Sequence, residues 1–296
     1  NLYINPKITY TTMEGMYLPQ DYFMLNMQNG AGEQVTVPYS GTGAASVLWE
    51  SSNTNVVTVS QSGVLTAVGL GSATVTFTAS NASAQWVSYA TVDVVNQINP
   101  QPFVNGDVIG LWGDSITHAG MYGHNITAFY ATKYSDRVIN IAEFGYSGDN
   151  TQDVLGRVDR DFDTRPDINK ATIMLGANDV AIENTASNSY AMRLRAIIDK
   201  LKAKGVSEIT IFTPTPYDGI RSGNMARAKQ IKDFSYDARK VASEANCAVV
   251  DTWSELMYYD TILKTGYEVS PTMPTVLGDD NLHPRDLGHM LIARAF

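Results

Sequence analysis

With 296 residues, 44% of them hydrophobic, the chain is long enough for one large or two ordinary domains with substantial cores. Its net charge of −9, without any block of Lys or Arg, argues against nucleic acid or an anionic membrane surface as a partner. No apolar run approaches the ~18 residues of a membrane span, and the single cysteine, Cys247, excludes an intrachain disulfide.

Residues 1–99 are rich in Ser, Thr, Asn, Gly and Val and contain short runs in which apolar and polar residues alternate. Gly- and Asn-rich turns separate these runs at the ~8–12-residue intervals that are typical of a β-sandwich. The pattern therefore predicts an all-β domain whose clearest strands lie at 34–37, 55–59, 72–77 and 89–94.

The stretch from Leu48 through the turn at 62–63 to Thr76 closely resembles the bacterial immunoglobulin-like domain, group 2, over about residues 20–97. The resemblance places Trp49 in the core of the sandwich, and Gly63 and Gly71 in turns that need positive φ. Such domains are typical of secreted, surface or phage-tail proteins. A structural spacer is the favoured interpretation and a glycan-binding module is the alternative, because a fold alone does not define a function.

Residues 100–106 contain two prolines and a glycine, which predicts a short, fairly stiff linker. From 107 to 296, apolar strands alternate with segments of helical periodicity, such as 190–198. This alternation predicts a parallel sheet covered on both faces by helices, with ligands bound beyond the carboxyl ends of the strands. The predicted strands lie at 108–112, 138–142, 171–175, 209–212 and 248–250.

Four short motifs in this second domain carry polar groups suited to acyl transfer: GDSIT (113–117), GYSGDNT (145–151), GAND (176–179) and DNLH (280–283). Ser115, Gly148 and Asn178 each follow a predicted strand, so all three belong to one edge of the sheet. His283 precedes a proline at a predicted helix start and is therefore expected on a loop, three residues after Asp280.

These residues supply the parts of a serine esterase. A Ser115 hydroxyl needs a base to accept its proton, and His283 has the pKa for that task near neutral pH, with Asp280 orienting its ring. The backbone amides of Ser115 and Gly148 and the side-chain amide of Asn178 are the expected oxyanion donors. Each residue alone has an ordinary structural explanation as a cap, turn or loop, whereas their joint order favours catalysis.

Residues 107–296 resemble the SGNH (GDSL-type) hydrolase family, whose blocks contain Ser115, Gly148, Asn178 and the pair Asp280 and His283 in this order. The resemblance implies a flavodoxin-like three-layer α/β/α fold. One departure is Glu143, at a position where relatives often have Asn, which puts the electrostatics beside the second block in doubt. The G-x-S-x-G motif of α/β-hydrolases is absent around the serine.

Other polar residues near the motifs have secondary interpretations. Asp114 and Asp179 are expected to bond nearby backbone. His118 is expected either to line the pocket or to face solvent. Three further residues that follow predicted strands are candidates for substrate contact: Tyr146, Tyr217 and Asp218.

The chain is thus predicted to be a secreted or cell-surface serine esterase, bacterial or phage-associated, which acts on short acyl esters, above all acetyl esters, of a carbohydrate. No cofactor and no metal are expected, because His118, His124 and His289 show no metal-ligand spacing. A lysophospholipase or general carboxylesterase is the enzymatic alternative. The alternative from another class is a glycan-binding surface or phage-tail adhesin, with contact through residues 1–99.

Overall fold

The computed structural model describes residues 21–28, 31–37, 39, 44, 46–81, 85–183, 189–264 and 275–296. The chain divides into two compact units, with the boundary between Gln97 and Ile98. Within the described ranges, no helix combines the length and the apolar character that crossing a membrane would require.

Unit 1 is built of β-strands alone in the ranges given above, as the sequence predicts. Its strands form a five-stranded sheet of order β2-β1-β8-β7-β4 and a three-stranded sheet of order β3-β6-β5. Most neighbours are antiparallel, but β1 and β8 run parallel. The strands are β1 (Tyr22–Gln28), β2 (Ala31–Gly32), β3 (Gln34–Thr36), β4 (Ser46–Ser51), β5 (Val57–Val59), β6 (Val64–Ala67), β7 (Gly71–Ser80) and β8 (Gln85–Val95).

One apolar core joins the two sheets of unit 1. Trp49 of β4 is buried in it, with its ring centroid 4.6 Å from that of Phe77, as the sequence predicts. Gly63 has a φ of 79°, and a Cβ at this position would lie 3.1 Å from the Trp49 ring. Gly71 has a φ of 134°, so both turn glycines adopt the positive φ expected of them.

Unit 2 is a parallel five-stranded sheet of order β10-β9-β11-β12-β13 with helices on both faces. Its elements, in chain order, are β9 (Val108–Gly113), α1 (Ser115–His118), α2 (Met121–Lys133), β10 (Asn140–Gly145), α3 (Thr151–Thr164), β11 (Lys170–Met174), α4 (Tyr190–Ala203), β12 (Glu208–Phe212), α5 (Gly219–Ser222), α6 (Met225–Ala245), β13 (Ala248–Val250), α7 (Thr252–Lys264) and α8 (Asp286–Ala295).

Successive side chains of a strand point to opposite faces of the sheet, and in β9 they enter two different cores. Trp112 packs with buried residues of α3, α4 and α6. Leu111 packs with buried residues of α2, α7 and α8. The predicted three-layer α/β/α architecture is therefore confirmed.

Two segments differ from the sequence-based expectation. β10 begins at Asn140 rather than Val138, because Val138 is 66% exposed and its carbonyl accepts a hydrogen bond from Gly106 in a loop. The segment 100–106, predicted to be a linker, lies within unit 2. Phe103 is buried there, with its ring 5.2 Å from Tyr130 and 5.0 Å from Phe296.

The strand order determines which loops meet. β9 lies between β10 and β11, and the ends of the three strands are in register at Gly145, Gly113 and Met174. Because all three strands are parallel, the segments that follow them leave the same edge of the sheet. These segments contain the motifs that begin at 113, 145 and 176.

Candidate active site

Ser115 is the first residue of the short helix α1, directly after β9. Asp114 caps this helix, since its carboxylate accepts a hydrogen bond of 2.9 Å from the Ile116 amide. Gly113 allows the chain to turn closely here, because a Cβ at this position would lie 2.0 Å from Thr117 Oγ1. The prediction that Asp114 bonds nearby backbone is confirmed.

Ser115, His283 and Asp280 form one chain of hydrogen bonds. Ser115 Oγ lies 2.6 Å from His283 Nε2, although 168 positions separate the two residues in the sequence. His283 Nδ1 contacts the carboxylate of Asp280. This arrangement can move a proton from the hydroxyl to the imidazole while the carboxylate holds the ring.

The carboxylate of Asp280 is held ionised by its surroundings. Burial by itself would raise its pKa, but the His283 ring and the backbone amides of Leu282 and His283 donate hydrogen bonds to it and bring its pKa below the usual value. The two amides lie 3.1 and 3.0 Å from Oδ1. Asp280 is therefore charged at neutral pH.

Gly148 and Asn178 lie on neighbouring loops that contact each other. Gly148 has a φ of 90° and lies in a turn in which the Asp149 amide donates to the Tyr146 carbonyl over 3.2 Å. Asn178 Nδ2 donates to the Asp149 carbonyl over 2.9 Å. The Tyr146 amide in turn donates to the Gly113 carbonyl over 3.2 Å, so this turn lies beside the end of β9.

Arg157 of α3 connects these loops, a role that was not predicted from the sequence. Its guanidinium donates to the carbonyls of Phe144 (2.8 Å) and Gly113 (3.3 Å) and to the Asp149 carboxylate (2.7 Å). Its carbon Cζ lies 4.3 Å from the centre of the Tyr146 ring. The available signal was a charged residue within the apolar stripe of a helix.

Asp179 was expected to bond nearby backbone, but it bonds a helix that begins 28 positions earlier in the sequence. Its buried carboxylate accepts hydrogen bonds from the amide and hydroxyl of Thr151 at the start of α3, and Arg193 of α4 lies 3.3 Å away. Burial raises the pKa of Asp179, and the bonds from Thr151 and Arg193 oppose that increase. The loop that contains Asn178 is thereby attached to two helices.

Of the candidate substrate contacts, Tyr146 is exposed, whereas Asp218 is buried and paired with Lys264, 2.6 Å away. Tyr217 is partly buried against the Arg227 guanidinium, whose Cζ lies 4.6 Å from its ring centre. The Asp218 side chain is therefore not free to meet a substrate.

His118 and Glu143 lie beside the second motif. His118 is exposed, and its Nδ1 lies 3.0 Å from the Gly145 carbonyl. Glu143 is exposed, but partial desolvation of its carboxylate raises its pKa, and the neighbouring His118 and His124 partly offset this effect. The residue at which this sequence departs from the family pattern thus faces two histidines.

Comparison with protein families gives two matches, one for each unit. The model of the GDSL-like lipase/acylhydrolase family matches residues 111–291, and that of the bacterial Ig-like domain (group 2) matches residues 25–92. A curated acetylxylan esterase from Geobacillus stearothermophilus is 26% identical over 217 residues, which are 65% of this chain and 93% of that protein.

Solved structures show the same fold. The acetylxylan esterase Axe2 from Geobacillus stearothermophilus aligns with a TM-score of 0.54 at 23% identity, covering 66% of this chain and 94% of its own. An α/β hydrolase from the metagenome of Lake Arreo, Spain, aligns with a TM-score of 0.52 at 22% identity over the same shares. These matches support the architecture of the second unit.

Proposed function

Because the chain belongs to the GDSL-like lipase/acylhydrolase family and is a carboxylic ester hydrolase, we propose that it uses Ser115 as the nucleophile. His283 is the general base and Asp280 orients it. The observation that carries this proposal is the 2.6 Å separation of Ser115 Oγ and His283 Nε2.

The proposed reaction has two halves. In the first, Ser115 Oγ attacks the ester carbonyl while its proton passes to His283 Nε2, and the tetrahedral intermediate collapses when His283 returns that proton to the departing alcohol. In the second, His283 takes a proton from water as that water attacks the acyl-enzyme, and it then returns the proton to Ser115 Oγ while the carboxylic acid leaves. Asp280 stabilises the imidazolium in both halves without accepting its proton.

The negative oxygen of each intermediate is proposed to bind the amides of Ser115 and Gly148 and the side-chain amide of Asn178. The position of Ser115 at a helix start leaves its backbone amide without an intrahelical acceptor. One hydrogen of Asn178 Nδ2 is used by the Asp149 carbonyl, so its second hydrogen is available. Such preorganised donors in a dry site supply much of the rate of acyl transfer.

The proposed substrate is an acetyl ester of a carbohydrate, in particular of a xylan-type polysaccharide. The similarity to a curated acetylxylan esterase, which extends over 93% of that protein, supports this choice. A carbohydrate substrate and an Ig-like unit are both consistent with a secreted or cell-surface location. Unit 1 is proposed to act as a spacer, with direct glycan contact as the alternative.

The first test compares chromogenic acetyl and octanoyl esters as substrates for the wild-type protein and for Ser115→Ala. We expect hydrolysis of the acetyl ester to be faster, and the substitution to lower kcat by about 10⁴-fold or more, since it removes the nucleophile. The matched control is Ser207→Ala, whose exposed hydroxyl bonds the Asn169 carbonyl and should not affect kcat.

Release of acetate from acetylated xylan is then measured with the same three proteins. A preference for acyl chains of eight or more carbons would exclude the carbohydrate substrate and favour a lysophospholipase. Activity that survives Ser115→Ala would exclude the serine mechanism.

A further inference from the structure

The loop 275–285 contains both Asp280 and His283, and its local shape is fixed by its own hydrogen bonds. The Gly278 amide donates to the His283 carbonyl over 2.6 Å, and the Asn281 amide donates to the Gly278 carbonyl over 3.1 Å. Asn281 adopts a left-handed conformation with a φ of 66°. These bonds shape the loop, but they do not determine how far His283 lies from Ser115.

The beginning of the loop is attached to helix α7. Asp260 Oδ1 accepts hydrogen bonds from the Thr275 hydroxyl (2.5 Å) and from the Val276 amide (3.1 Å). The Asp260 carboxylate is almost fully buried. The position of α7 therefore determines where the loop starts.

The middle of the loop is attached to the segment between β12 and α5. The Asp218 amide donates to the Asn281 carbonyl over 2.9 Å, within the Asp280 to His283 motif. The Asp218 carboxylate is fully buried and accepts a hydrogen bond of 2.9 Å from the Arg221 amide. This second attachment therefore holds the loop at Asn281, which lies between Asp280 and His283 in the sequence.

Lys264 joins the two attachments. Its Nζ lies 2.6 Å from the Asp218 carboxylate and also contacts the Asp260 carboxylate, and its side chain is only 17% exposed. Two buried carboxylates without a cation would be costly, because neither could regain its hydration. The side chains of Asp218, Asp260 and Lys264 pair with one another. They are therefore not part of the pathway by which a proton passes from Ser115 Oγ to His283 Nε2.

We propose that Lys264 is a positioning residue, which holds Asp218 and Asp260 together and thereby fixes the distance from His283 to Ser115. This inference rests on the function proposed above for these two residues. A general base must lie within hydrogen-bond reach of its proton donor, and a displacement of 1 Å costs about 100-fold in rate.

The test measures kcat, KM and Tm with a chromogenic acetyl ester for Lys264→Met and Lys264→Arg. We expect Lys264→Met to lower kcat about 10- to 100-fold with little change in KM, because binding does not depend on the distance from His283 to Ser115. Lys264→Arg keeps the positive charge and should recover most of that loss.

Lys170→Met is the matched control. Lys170 also joins two carboxylates, those of Glu208 (2.8 Å) and Asp107 (3.3 Å), and its side chain is 11% exposed. It lies at the start of β11, which is the edge of the sheet opposite the site. We expect Lys170→Met to lower Tm but not kcat.

Retention of wild-type kcat by Lys264→Met would overturn the proposal, as would equal losses of kcat in Lys264→Met and Lys170→Met at the same folded fraction. Failure of Lys264→Arg to recover kcat would also count against it. If Lys264→Met does not fold, the double variant Asp260→Asn/Lys264→Met takes its place, since it removes one buried charge together with its partner. Absence of Ser115-dependent activity in the wild type would instead refute the proposed function.

Discussion

Asp114 caps the helix that begins with Ser115, and its carboxyl group has a raised pKa. Its carboxylate is buried, which raises its pKa to about 7, while the Ile116 amide and the charge of His283 partly oppose this increase. In the unfolded chain an aspartate titrates near pH 4. Folding therefore favours the protonated form of Asp114 over the range between these two pKa values.

The sign of this effect gives a prediction. As pH rises from about 4 to about 7, the unfolded chain releases the proton while the folded protein retains it, so Asp114 makes the fold progressively less stable. Asp114→Asn keeps an acceptor for the Ile116 amide and cannot ionise. We expect it to raise the free energy of unfolding at pH 8 and to have no such advantage at pH 4.

Urea denaturation of both proteins at pH 4, 6 and 8 measures this difference. The gain should amount to a few kcal/mol at pH 8, since one unit of pKa corresponds to about 1.4 kcal/mol. A difference between variant and wild type that does not change with pH would show that Asp114 titrates normally in the folded protein.

Among the elements, helix α3 fixes the turn that contains Gly148. Its capping box at Asn150 and Asp153 defines where the helix begins. Arg157, one turn further, binds back to Phe144, Gly113 and Asp149. The geometry of the turn is thus determined by a helix as well as by its own residues.

Arg157→Met is expected to disrupt this turn. The Arg157 side chain is 10% exposed and pairs with Asp149 and Asp161, and removal of one partner of such a buried pair costs about 3–5 kcal/mol. We expect kcat on an acetyl ester to fall as well, because the Gly148 amide loses its fixed position.

The control is Arg160→Met on the same helix. Arg160 also pairs with Asp161, but its side chain is 68% exposed, so the change in stability should stay within about 0.5 kcal/mol. Chemical denaturation and kcat are measured for both variants. Equal effects of the two substitutions would contradict the assigned role of Arg157.

Element types were predicted more accurately than their ends. All five strands of the parallel sheet were predicted, since buried parallel strands appear as apolar runs. Helix α8 begins at Asp286, two residues after the predicted Pro284, because Pro284 pairs with Leu277 and the Arg285 amide donates to the Val276 carbonyl. Strand β10 begins at Asn140, which pairs with Val108. Both starts are set by pairing with another segment, which local periodicity does not contain.

At the scale of the whole molecule, the two units have separate hydrophobic cores. We therefore expect that a destabilised core in one unit leaves the free energy of unfolding of the other unit unchanged. Trp49→Ala removes a buried ring from the core of unit 1, at a cost of about 3–5 kcal/mol. The hydrolase family model matches residues 111–291, all of which lie within unit 2. We therefore expect kcat on a soluble acetyl ester to be unchanged.

Calorimetry and activity on soluble ester and on insoluble acetylated xylan measure the outcome. A loss confined to the insoluble polymer would favour glycan contact by unit 1, and unchanged activity on both would favour a spacer. A fall in kcat on the soluble ester that parallels the unfolding of unit 1 would contradict independent stabilities.

The two kinds of unit, the parallel sheet and the motifs at its strand ends could be predicted from the amino-acid sequence, because periodicity and turn residues are local properties. The charged side chains that support those motifs are identified only by the folded arrangement. The side chains of Arg157, Asp218 and Lys264 contact partners up to 46 positions away in the sequence, and such pairs leave no local pattern. The 2.6 Å contact between Ser115 and His283 likewise depends on how the chain folds between them, since 168 positions separate the two residues.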